Sequence, residues 1–159
     1  MKITNDSPTL TIAQLLEHWQ GHRNLSRRVI EAFPEDKLFT YSVGGMRTFA
    51  ELALEMIGMA APSMEGIVTR KWPKYEAPKA PKTKQELLAM WDKATEEINT
   101  LWPQIPEGRL QENDKAFGMW EGKIYWTLFY IIDNEIHHRG QGYVYLRSLG
   151  IEPPKFWER

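Results

Sequence analysis

The sequence predicts an all-α protein, a four-helix bundle with a long crossover between its second and third helices. Three observations carry this. Thr11 with Gln14, Thr48 with Glu51 and Thr83 with Glu86 have capping-box spacing, and each opens a stretch of helical apolar periodicity. A fourth periodic stretch closes on Gly150 and Pro153-Pro154. A Lys/Pro-rich segment at 70–82 separates the second stretch from the third, as an extended connection and not an element.

The first helix runs from about Thr11 to Phe33 with Pro34 as a stop, and buries Ile12, Leu15, Leu16, Trp19, Ser26, Val29, Ile30 and Phe33. The second begins at Thr48 and turns Leu52, Ala53, Met56, Ile57, Met59 and Ala60 inward. Pro62 bends or ends it, or it resumes to about Ile67. The third opens at Thr83 and ends before Pro103, giving a span of 83–102. Residues 104–122 form a loop with room for a short strand pair. The fourth helix spans 123–149, with Gly150 as its cap.

At 159 residues a single domain, 1–159, is expected, without internal repeats. A hydrophobic fraction of 42%, with seven Trp, six Tyr and six Phe, supplies a core and excludes whole-chain disorder. The net charge of −1 argues against a nucleic-acid surface, and Glu76 and the prolines dilute the lysines of the crossover. The absence of cysteine removes disulfides, thiolate zinc sites and Cys nucleophiles. Met1–Pro8 has no apolar signal core, and no uncharged apolar run is long enough for a bilayer. The expectation is a cytoplasmic protein with neither nucleic acid nor membrane as partner.

The fourth helix carries the chemistry. Asn134, His138 and Gln141 fall at i, i+4 and i+7, on the side of Ile131, Tyr145 and Leu149. His138 therefore points inward, and Gly142, one turn on, leaves space beside its ring. His137 is rotated away, within reach of Asp133, and Glu135 precedes Arg139 in the favourable order for a helix ion pair. On the second helix Glu55 interrupts the apolar stripe between Leu52 and Met59, where a carboxylate must be paired, hydrated or metal-bound. Glu55, Asn134 and His138 together offer a carboxylate, an amide oxygen and an imidazole, a mixed set for a divalent metal. The competing reading of His138 is a satisfied core histidine, and that of Glu55 a solvent-facing edge residue. His18 and His22 have the spacing of a two-histidine site on a helix. Their other reading is as ordinary polar residues at the bundle edge. Gly44-Gly45 lacks the rest of a phosphate loop, and no nucleophile elbow occurs.

His137-His138-Arg139-Gly140-Gln141, the run Tyr145–Pro154 and Thr48-Phe49-Ala50-Glu51-Leu52 resemble the DinB/YfiT-like superfamily, with matching helix order over essentially the whole chain. The resemblance implies an up-down bundle, frequent homodimers and a site of three metal-binding histidines. One comes from the second helix and two from the fourth, spaced His-x-x-x-His. This chain keeps only the last, His138. Asn134 stands at the first fourth-helix position and Glu55 at the second-helix position. The superfamily's enzymes are metal-dependent thiol transferases. Two expectations follow. One is a divalent-metal-dependent transferase or hydrolase, with zinc, nickel or a similar ion held more weakly than by three histidines, and with Arg139 and Gln141 in supporting roles. The other is a non-catalytic, stress-associated bundle whose degenerate site binds a small ligand or none. A homodimer fits the many aromatics beyond one small core, namely Trp72, Tyr75, Trp102, Trp120, Trp126, Phe156 and Trp157.

Overall fold

The computed structural model describes residues 9–74 and 76–159. Met1–Pro8, read above for a signal sequence, and Tyr75, counted among the aromatics, lie outside the described residues. The elements run α1 (Ile12–Ala32), α2 (Glu35–Thr40), α3 (Phe49–Thr69), α4 (Lys84–Leu101), β1 (Asn113–Ala116), β2 (Trp120–Lys123) and α5 (Ile124–Ser148). Short 3-10 turns stand at Trp102–Gln104 and Arg109–Gln111. The four long helices coincide with the four expected, and α1 and α3 lie on diagonal corners, each flanked by α4 and α5.

Local chemistry explains the boundaries. Thr11, Thr48 and Thr83 each accept from the backbone of the residue three on, and Gln14, Glu51 and Glu86 each reach back to close the box. Gly150, at φ 76, ends α5: its N–H reaches Arg147 and that of Ile151 reaches Leu146. Pro34 does more than stop α1. It caps α2, a one-and-a-half-turn helix too short for its periodicity to be read. α3 continues through Pro62 to Thr69, with the loss of the one hydrogen bond that Pro62 cannot donate to the carbonyl of Gly58.

The core falls into two apolar clusters. One joins the C-terminal half of α1 to the start of α3 and the end of α5, around Phe33, Phe49 and Tyr145. The other joins the opposite ends, around Trp19, Met64 and Leu128. A polar layer separates them, and α5 supplies both of its sides. Glu135 and Arg139 face α1, whereas Asn134 and His138 face α3.

The expected ion pair between Glu135 and Arg139 is not formed. Glu135 accepts from Ser26 Oγ at 2.8 Å and Trp19 Nε1 at 3.3 Å, and pairs with buried Arg23 at 3.5 Å. Arg139 donates to Ser26 Oγ and His22 instead. Burial decides this, since both side chains are nearly sealed from solvent and the facing helix offers better partners. His137 is exposed, and no bond to Asp133 is present among the described residues.

The β hairpin packs at the far end of α3. Buried Arg109 donates to the carbonyls of Ile67 at 2.7 Å and Gly66 at 3.3 Å, two of the last acceptors of that helix, and pairs with Glu112 and Asp114. Trp72 sits directly on Gly66 and donates to Asp114 at 3.1 Å. The aromatic inventory is thus partly internal: Trp102 is buried and Trp72 half-buried, whereas Trp120, Trp126, Phe156 and Trp157 are exposed.

Candidate polar site between α3 and α5

Glu55, Asn134 and His138 converge. Asn134 Nδ2 donates to Glu55 Oε1 at 3.1 Å, and His138 Nε2 lies 3.0 Å from the same oxygen. His138 is buried, and Gln141 Oε1 stands 2.8 Å from its Nδ1. The i, i+4, i+7 spacing on α5 therefore delivers an amide, an oriented ring and the residue that orients it. Gly142 does not leave the expected space. Phe49 fills it, and a Cβ on Gly142 would lie 2.3 Å from the Phe49 ring.

One site residue escaped the sequence reading. Arg47 Nη1 pairs with Glu55 Oε2 at 2.5 Å. It lies in the loop before α3, where no periodicity exists. The available signal was electrostatic: a cation immediately before a helix N-terminus opposes the macrodipole and needs an anion nearby. Partial burial pushes the Glu55 carboxyl up, but hydrogen bonds from Arg47, Asn134 and His138 outweigh it and hold the pKa at about 2.

Charge and lone pairs test whether this set suits a divalent ion. Glu55 Oε2 is taken by a guanidinium and Oε1 by two nitrogens. Asn134 presents its Nδ2 side, and both His138 nitrogens face acceptors. An ion would need the amide turned over and a free lone pair on Nε2. It would also sit close to Arg47, at a repulsion of several kcal/mol for an effective dielectric near ~20. Among the described residues, no three His, Asp or Glu side chains stand together as ion ligands. As arranged, the donors do not fit a resident divalent metal.

His18 and His22 also touch, with Nε2 atoms 3.2 Å apart. His22 Nδ1 is already bound by Arg139 at 2.9 Å, and Arg159 lies 3.3 Å from its Nε2. Two guanidiniums at the ring leave this pair a structural contact.

A cavity of about 240 Å³ opens one turn along the cleft from Glu55 and Asn134, where Met59 and Ile131 line it between α3, the hairpin and α5. No helix of the described residues is long and apolar enough to cross a membrane.

Comparison with known proteins agrees with this architecture. A DinB-like protein from Bacillus cereus ATCC 10987 superposes with a TM-score of 0.70 at 19% identity, covering 91% of this chain and 97% of that one. A DinB-like protein from Bacillus subtilis gives 0.71 at 20% identity, covering 92% and 99%. A mycothiol-dependent maleylpyruvate isomerase gives 0.57 at 13% identity, covering 84% of this chain and 61% of that one. No curated protein matched. The model of the DinB family matches residues 1–159, so this chain belongs to the DinB family.

Proposed function

We propose that this DinB-family bundle is a non-catalytic small-molecule-binding protein, with Arg47 and not a metal balancing Glu55 in the α3–α5 cleft. The observation that carries the reading is the saturation of the Glu55 carboxylate, with Arg47 on one oxygen and Asn134 and His138 on the other. A carboxylate so satisfied is a poor ligand and a poor general base, since its pKa near 2 leaves little affinity for a proton. Its network fixes one wall of the cleft, and the neighbouring cavity supplies the space for a ligand.

A second reading, a metal-assisted transferase or hydrolase acting with a small thiol, draws on one observation. Gln141 holds His138 Nδ1 and aims Nε2 at Glu55, the way outer partners orient metal-binding histidines. Metal content separates the two. Untagged protein loaded with zinc or nickel and then gel-filtered should retain far less than one ion per chain. Arg47→Ala, which frees Glu55 Oε2 and removes the repelling charge, should raise retention. Stoichiometric metal in the wild-type protein, lost in His138→Ala with the fold intact, would overturn the metal-free reading.

A further inference from the structure

The cavity beside the polar site carries two features that packing alone does not account for. The first is Ser63 on α3. It is fully buried, it is among the residues that line the cavity, and its Oγ has no hydrogen-bond partner among the described residues. Helical hydroxyls ordinarily bond the carbonyl four residues back. Thr69, Thr95 and Thr100 do so here, at 2.7, 3.0 and 2.9 Å. Ser63 does not, and a buried hydroxyl left unpaired is a cost that a ligand atom would remove.

The second feature is the wall. The β1–β2 turn places Phe117 at φ 53 and Gly118 at φ 69, with Met119 N–H donating to Ala116 at 3.0 Å. Positive φ at both central positions suits Asn-Gly, and a bulky residue there is an outlier. The ring is nevertheless held at the cavity, with its centroid 5.2 Å from that of Trp72 and 6.1 Å from that of Trp120. Trp126 forms a further wall, seated on Gly122, where a Cβ would fall 2.9 Å from its ring. The aromatic sides are therefore positioned by backbone features. The charges of the lining, Lys123 and Glu121, are opposite, and Lys123 already donates to Gln111 O at 2.6 Å.

We propose that this cavity binds a small, neutral, planar aromatic molecule bearing one hydrogen-bonding substituent, which pairs with Ser63 Oγ while Phe117, Trp120 and Trp126 cover the ring. The proposal rests on the small-molecule reading above and names the ligand class. Its size follows from the volume, about 240 Å³. Its neutrality follows from the balanced charges. Its single polar group follows from Ser63 Oγ, the one buried, unpaired side-chain polar atom among the described lining residues.

Phenol and toluene, similar in shape and differing in the hydroxyl, are the probes, titrated by calorimetry into the full chain. Wild-type protein should bind both saturably. Ser63→Ala should leave toluene binding in place and shift the phenol-to-toluene ratio of dissociation constants by about two- to tenfold against phenol, the effect of one hydrogen bond. Thr127→Trp, which fills the cavity from its α5 side, should abolish both while circular dichroism stays helical. An unchanged ratio in Ser63→Ala, binding that survives Thr127→Trp, or no saturable binding of either probe to the wild-type protein would each overturn the proposal. Stoichiometric metal in the same preparation would overturn the metal-free reading and leave the probe result standing. Metal-free protein that binds neither probe would fail the cavity alone.

Discussion

Phe49 occupies the notch that Gly142 leaves in α5, so closely that a Cβ there would lie 2.3 Å from the ring. The same ring stacks on Phe33 with centroids 4.8 Å apart. Phe49 is the first residue of α3, two after Arg47, whose carbonyl accepts from Tyr145 Oη at 2.9 Å. The notch thus seats the start of α3 on α5 and sets where Arg47 meets Glu55. Gly142→Ala should destabilise the protein by about 1–3 kcal/mol from overpacking, against the gain of ~1 kcal/mol that alanine usually brings to a helix. Urea denaturation measures this. In a cycle with Phe49→Leu the two changes should be strongly non-additive, and simple additivity would show that the notch is not the cause.

The parts of this molecule legible in the sequence are those decided within a few residues. Each capping box closes inside four positions, so the helix starts at Thr11, Thr48 and Thr83 could be read directly. The convergence of Glu55, Asn134 and His138 was legible because three polar residues on two amphipathic stripes must meet where the stripes meet. The partners of Glu135 and Arg139 were not. Period alone assigns them to each other, and only the face of α1, with Arg23, Ser26 and His22, reveals otherwise. Arg47, in a loop, and Ser63, an unremarkable small residue on an apolar stripe, have no period to betray them. Their roles depend on what surrounds them after folding.

Glu135 is expected to be a large single contributor to stability. It is buried against Arg23, which itself stacks over Trp91 with its guanidinium carbon 3.7 Å from the ring centroid. Burial pulls the Arg23 pKa down and Glu135 opposes this, so the carboxylate sustains the charge. Glu135→Ala leaves an uncompensated buried cation and should cost about 3–5 kcal/mol. The double variant Arg23→Met, Glu135→Leu should cost less than Glu135→Ala alone, because no lone charge remains. Thermal and chemical denaturation of the set decide it, and a double variant less stable than the single one defeats the account.

The homodimer is a proposal with an address on this surface. Phe129, Ile136 and Val144 are exposed and share one side of α5, with Gly140 between them and nothing near it. An isologous contact would place each such stripe against its copy. Sedimentation velocity at micromolar concentration should show a dimer. Phe129→Glu combined with Val144→Glu should give a monomer of unchanged helicity. A wild-type protein that sediments only as monomer removes the proposal.

His22 is expected to weaken the fold in acid, alongside carboxylates such as Glu55 whose pKa is also lowered. Burial first, and then the charges of Arg139 from α5, Arg159 from the C-terminal segment and His18 from α1, lower its pKa from 6.5 to about 3. The folded protein therefore keeps the ring neutral, as an acceptor for Arg139 Nη2 at 2.9 Å, while the unfolded chain takes up a proton below about 6.5. Between about pH 3 and pH 6.5 the unfolded state binds more protons, so stability rises with pH across that window. The contribution of neutral His22 is complete above the unfolded pKa and drains away as the pH falls toward the folded one. His22→Gln keeps an acceptor for Arg139 and removes the titration. The stability advantage of the wild-type protein over this variant should therefore shrink as the pH is lowered from about 7 to about 4, with all other carboxylates and histidines common to both. Parallel denaturant melts along the pH series give the difference directly. A difference that stays flat across the window means that His22 titrates alike in both states, and the buried, guanidinium-flanked ring then adds nothing to the acid sensitivity of the fold.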